Sequence, residues 1–84
     1  MVELRIEETK DFTRTIDKIK DNSLKIKIKK QINKIIENPE IGKPMRYNRK
    51  GTREVYVSPF RLSYAYLQKE NKIILLDFYH KDEQ

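Results

Sequence analysis

Residues 38–66, NPEIGKPMRYNRKGTREVYVSPFRLSYAY, hold the densest run of local signals in the chain. Asn38-Pro39 stops a helix, because proline lacks an amide hydrogen and restricts the residue before it. Gly42-Lys43-Pro44 drives an extended crossing into Met45-Arg46-Tyr47. Lys50-Gly51 then makes a turn, and two short strands follow with a break at Ser58-Pro59. The strands are expected to deliver Arg53 and Arg61 to neighbouring places, which is how a small basic protein builds a phosphate-binding surface on a sheet.

Beyond this stretch the period of two continues. Met45–Arg49, Arg53–Ser58, Arg61–Lys69 and Lys72–His80 read as successive strands, with Glu70-Asn71 as a two-residue hairpin turn. Leu62, Tyr64 and Tyr66 share one face of their strand and should pack on helices. Arg61, Ser63 and Ala65 are left on the opposite, open face. Ile73-Ile74-Leu75-Leu76-Asp77-Phe78 is apolar on both faces, the mark of a central strand, and should carry Tyr79, His80 and Lys81 toward the same surface. Toward the N-terminus, Val2, Leu4 and Ile6 alternate as a short strand. Thr9 can cap a helix with Asp11 in its first turn and Phe12, Ile16 and Ile19 on its apolar face. Asp21-Asn22-Ser23 ends that helix and caps a second, whose stripe is Leu24, Ile28, Ile32, Ile35 and Ile36. Two helices joined so closely predict an antiparallel hairpin. The expected fold is α+β: an N-terminal strand, a helical hairpin, then a curved, mainly antiparallel sheet.

Eighty-four residues make one domain, spanning 1–84. Apolar residues, 37% of the chain, fall in periodic runs, so a folded core is expected despite 38% charged residues. A formal net charge of +6 favours polyanionic partners, such as nucleic acid, the ribosome or an acidic protein. Without cysteine, disulfides and thiol catalysis are excluded, and with one histidine a zinc site is not expected. Neither a signal peptide nor an apolar run near a membrane span is present, so a soluble, cytoplasmic protein without cofactors is predicted.

Taken in order, Asn38-Pro39, Gly42-Lys43-Pro44, Met45-Arg46, Gly51, Arg53, Phe60-Arg61-Leu62-Ser63-Tyr64 and the final apolar strand into His80-Lys81 resemble the RelE/ParE superfamily of toxin–antitoxin toxins. The family pattern runs roughly NPxxGKPLRY, G-x-R, YRLxY and a terminal GHR-like element. The resemblance implies a toxin neutralised by a cognate antitoxin. RelE-type members enter the ribosomal decoding site and cut messenger RNA; ParE-type members act on DNA gyrase without a ribonuclease centre.

The resemblance also implies roles. Arg61 is the expected phosphate clamp, since its fork matches phosphate oxygens and remains charged. Its alternative is to pair with Asp77 or Glu54 and hold the sheet. Arg53 takes a neighbouring basic position. A second basic residue two places later is replaced here by Val55, a departure that removes one candidate for activating the 2′-hydroxyl. Lys81 stands near the place of the family's C-terminal arginine, and His80 or Tyr79 is expected to move protons. Alternatively, the strand ends there in solvent. Lys43, Arg46, Arg49 and Lys50 are expected to contact phosphates without reading sequence. The lysines of the second helix are read as a solvated face, with ribosomal RNA or an acidic antitoxin segment as the alternative. Tyr47, Tyr56, Tyr64 and Tyr66 are of the type that stacks on bases, yet sheet tyrosines more often pack a core.

Overall fold

In the computed structural model, residues 3–45 and 51–83 are described. The order is β1 (Arg5–Glu8), α1 (Lys10–Asp17), α2 (Asn22–Glu37), β2 (Lys43–Pro44), β3 (Thr52–Val57), β4 (Phe60–Leu67) and β5 (Lys72–His80). Both helix starts are capped by the expected residues. The Phe12 amide donates to Thr9 Oγ1 at 3.0 Å, and the Ser23 and Leu24 amides donate to Asp21 Oδ1 at 2.9 and 3.3 Å. Each cap satisfies amides that the first turn leaves without a partner. The second helix ends at Glu37, immediately before Asn38-Pro39. Phe12, Ile28 and Ile35 are buried, with Ile16, Ile19, Leu24 and Ile32 packed around them. Ile36, one residue off that stripe, turns outward. No helix among the described residues is long and apolar enough to cross a membrane.

Several boundaries differ from the sequence reading. β3 and β4 are Thr52–Val57 and Phe60–Leu67 rather than Arg53–Ser58 and Arg61–Lys69. The first strand starts at Arg5 because the Arg5 amide is captured by Asn71 O at 2.9 Å. Leu4 packs on the core, while Ile6 lies 41% exposed at the sheet edge. β2 is described at Lys43–Pro44, and the expected Met45–Arg49 strand falls, apart from Met45, outside the described residues. Instead of turning at Glu70-Asn71 alone, the chain makes a short 3₁₀ turn over Gln68–Glu70. Asn71 follows in the left-handed region at φ 51°, which asparagine tolerates better than most residues.

Among the described residues, five strands run in the order β1-β5-β4-β3-β2. β1 is parallel to β5 and every other pair is antiparallel, so the last strand in sequence is interior, as its apolar character predicts. Register then assigns the faces. Val55 opposite Leu62, Arg53 opposite Tyr64 and Leu62 opposite Phe78 point to the helix side, where the core lies. Glu54, Tyr56, Arg61, Ser63, Asp77 and Tyr79 point to the other, helix-free side. A bulge shifts the β4–β5 register: Ser63 pairs with Asp77 but Tyr64 with Leu75. Leu76 is the extra residue, so Leu75 and Phe78 both reach the core although they are three apart. Its carbonyl accepts from Thr9 Oγ1 at 2.7 Å, so one threonine caps α1 and ties it to the bulge.

Candidate functional site

On the helix-free face, Arg61 is flanked by Tyr56 across one strand boundary and Tyr79 across the other. Arg61 Nη1 donates to Glu54 Oε1 at 3.0 Å, and the Tyr79 hydroxyl donates to Glu54 Oε2 at 2.7 Å. The two donors thus use the two oxygens of one carboxylate. The Glu54 side chain is 15% exposed and that of Arg61 34%, leaving part of the fork open to solvent. Lys43, opposite Glu54 in the register, joins Glu54, Tyr56 and Arg61 around a shallow depression of about 300 Å³. The site therefore offers a cation, a carboxylate that can accept a proton and a phenol that can donate one.

Of the residues singled out by sequence, Arg61, Tyr79 and Lys43 come together here. Arg53 does not. Its Nη1 donates to Glu40 O at 3.0 Å and Gly42 O at 2.8 Å, so its guanidinium ties down the loop after α2 from the other face. Val55 is buried beside it, and its apolar character reflects that face rather than a lost basic site. His80, opposite Phe60, meets that ring edge-on at 5.4 Å between centroids and accepts at Nδ1 from the Asp82 amide at 3.2 Å. It too is on the side away from Arg61. Lys81 begins a 3₁₀ turn with its side chain in solvent. Arg46, Arg49 and Lys50 lie outside the described residues. The Arg61–Glu54 pair is the alternative the sequence offered for Arg61; what sequence reasoning missed is that the same carboxylate also takes the Tyr79 hydroxyl and so stands inside the site. The signal was present in Val55 and Val57, which mark the buried side of β3 and leave Glu54 and Tyr56 for the side Arg61 occupies.

Lys43 owes its position to a pin built beneath it. Tyr64 is fully buried, its hydroxyl donating to Pro39 O at 2.8 Å and accepting from the Gly42 amide at 2.9 Å. Burial pushes the hydroxyl above its ordinary pKa, opposed by the Gly42 hydrogen bond and the charge of Arg53. A raised folded-state value means stability is fully present below the unfolded pKa of about 10 and falls as pH rises through the folded one. Tyr64→Phe is expected to cost about 1–3 kcal/mol near neutrality, since the Gly42 amide loses its acceptor. It should also flatten the alkaline fall in stability; urea unfolding across a pH series to about 11 measures both.

The family model described as ParE toxin of type II toxin-antitoxin system, parDE, matches residues 6–84. No curated protein matches the chain. Among solved structures, the YoeB/ParE toxin from Agrobacterium tumefaciens superposes with a TM-score of 0.82 at 13% identity, over 92% of this chain and 98% of that one. A chain of the toxin–antitoxin complex RelBE2 from Mycobacterium tuberculosis gives 0.79 at 21% identity, over 95% and 100%. A chain of the intact E. coli RelBE toxin–antitoxin complex gives 0.78 at 12%, over 93% and 96%. At these identities the likeness is one of fold: two helices on a mixed, mostly antiparallel sheet.

Proposed function

We propose that this chain, which belongs to the ParE toxin family of type II toxin–antitoxin systems, arrests growth by cutting messenger RNA at the ribosome, without a metal. The observation that carries this reading is the Arg61–Glu54–Tyr79 group on the open face. RNA holds its own nucleophile, the 2′-hydroxyl, so cleavage needs no activated water. Glu54 takes the proton as the 2′-oxygen attacks phosphorus, Arg61 stabilises the charge on the phosphoryl oxygens, and Tyr79 protonates the departing 5′-oxygen. The products are a 2′,3′-cyclic phosphate and a 5′-hydroxyl. The Tyr79–Glu54 hydrogen bond then returns the proton from carboxyl to phenolate. A third of the Arg61 side chain is open to solvent, so an arriving phosphate can reach the fork and compete with Glu54 for it.

Glu54→Gln keeps the size and the oxygen facing Tyr79 but not the basicity. Cleavage should fall by about 10²-fold or more, the range of general base catalysis, while the amide NH2 set against Arg61 Nη1 lowers the melting temperature by several degrees without unfolding the protein. A cognate antitoxin is the other proposed partner, since the neighbours in fold include chains of toxin–antitoxin complexes. Laid across the basic surface or the helices, it would neutralise the toxin and fold as it binds.

A second reading is inhibition of DNA gyrase by protein–protein contact without catalysis. The ParE family match favours it, as does the placement of Arg53 and His80 away from Arg61. Either target would place the action in the cytoplasm. Inducing the protein, mapping messenger RNA ends in translating cells and assaying gyrase supercoiling in parallel separates the two. Codon-phased cuts lost in Glu54→Gln support the ribonuclease. Intact transcripts with supercoiling inhibited give the gyrase reading, and arrest with neither signature rejects both.

A further inference from the structure

Tyr56 is 50% exposed and stands between two depressions. On one side is the Arg61 site, which also contains Lys43 and Glu54. On the other is a groove of about 220 Å³ along α2, bordered by Lys27, Lys30, Gln31 and Lys34. Gln31 Nε2 donates to Tyr56 O at 3.0 Å, fastening the helix to the strand where the two meet. Lys27, Lys30 and Lys34 are three and four apart and so share a helix face on which they repel one another. Among the described residues none of them has an ion-pair partner, and the only acid within α2 is Glu37 at its end. An unneutralised basic stripe, an exposed ring and a second basic depression therefore follow one another.

We infer that this strip is a path for single-stranded RNA, with one base stacked on Tyr56, upstream or downstream phosphates along Lys27, Lys30 and Lys34, and the scissile phosphate at Arg61. The inference rests on the RNA reading above and extends it from the cleaved bond to the strand leading to it. A polyanion with flat, stackable faces matches this order of groups; sequence-tolerant single-strand sites combine basic grooves with aromatic platforms in this way. Recognition along the α2 groove is through charge and shape, with no base-edge readout.

The test uses a fluorescent single-stranded RNA of about a dozen nucleotides, 2′-O-methylated so that it cannot be cut, titrated with the intact protein at several salt concentrations. Tyr56→Ala should weaken binding roughly 10- to 100-fold while Tyr56→Phe retains it. The combined Lys27→Gln, Lys30→Gln, Lys34→Gln variant should lower the slope of log affinity against log salt by about 2, at ~0.7 per phosphate contact. All four positions are exposed or at the surface, and melting curves confirm that the variants are folded. Unchanged affinity and slope in both variants would overturn the path. So would a glutamate-rich peptide that binds equally well with the same variant pattern, since the surface would then be one for acidic protein. Tyr56-dependent RNA binding in a protein that cuts nothing overturns the ribonuclease reading alone; cleavage that persists when neither variant matters overturns the path alone.

Discussion

On the proposed ribonuclease reading, Arg61→Ala is expected to lower messenger RNA cleavage by about 10²–10³-fold and to leave a folded protein, the cost of removing one preorganised donor from a developing oxyanion. The side chain is a third exposed, and among the described residues it forms an ion pair with Glu54. Glu54 keeps the Tyr79 hydroxyl when Arg61 is gone, so it is not stranded without a donor. The melting temperature should therefore move by only a few degrees, in keeping with a loss of about 1 kcal/mol or less. Arg61→Lys keeps the charge but not the fork and should recover only part of the rate. Primer extension on transcripts from a translating extract, paired with thermal melting, measures both quantities. Undiminished cleavage by a folded Arg61→Ala protein would mean that the phosphate is held elsewhere.

The second large effect is at Gly42. A Cβ there would stand 2.6 Å from the Tyr64 hydroxyl oxygen, 2.8 Å from its ring and 3.0 Å from Arg53 Cβ. The tyrosine is fully buried and cannot swing away, so the loop must move instead. Gly42→Ala should cost about 2–4 kcal/mol, from overpacking and from breaking the hydrogen bond between the Gly42 amide and Tyr64. In a domain of this size that is a drop on the order of 10–20 °C in melting temperature. Because Lys43 is next in the chain, the arrest phenotype should weaken even at temperatures where the variant stays folded. A melting temperature within about 2 °C of the parent would show that the loop has room that the distances deny it.

Most of the architecture was legible because it is encoded locally. Thr9 and Asp21 cap their helices by reaching amides two or three residues away, Pro39 follows the end of α2, and the apolar run after Lys72 belongs inside a sheet. What could not be read is register. The family pattern suggested Arg53 beside Arg61, but the Val57–Phe60 pairing across a two-residue turn assigns them to opposite faces. One residue of slip exchanges every side chain between faces, so Glu54 entered the site where Arg53 was expected. The bulge at Leu76 was equally hidden, since two leucines in a row carry no alternation to reveal it. Arg53 itself became a clasp for two carbonyls, a role with no signature in sequence.

The pairing of β1 with β5 joins residues near opposite ends of the chain, as the Thr9–Leu76 contact across 67 positions illustrates. During synthesis this matters. A ribosome that has made β1 through β4 has produced two edges with nothing between them, and neither Tyr79 nor the bulge that anchors α1 exists yet. Such distant contacts form late, because a long loop must close before they return any stabilisation. A nascent chain therefore has no assembled Arg61–Glu54–Tyr79 group until β5 has been released, and an antitoxin that caught the chain before then would meet an unfinished sheet.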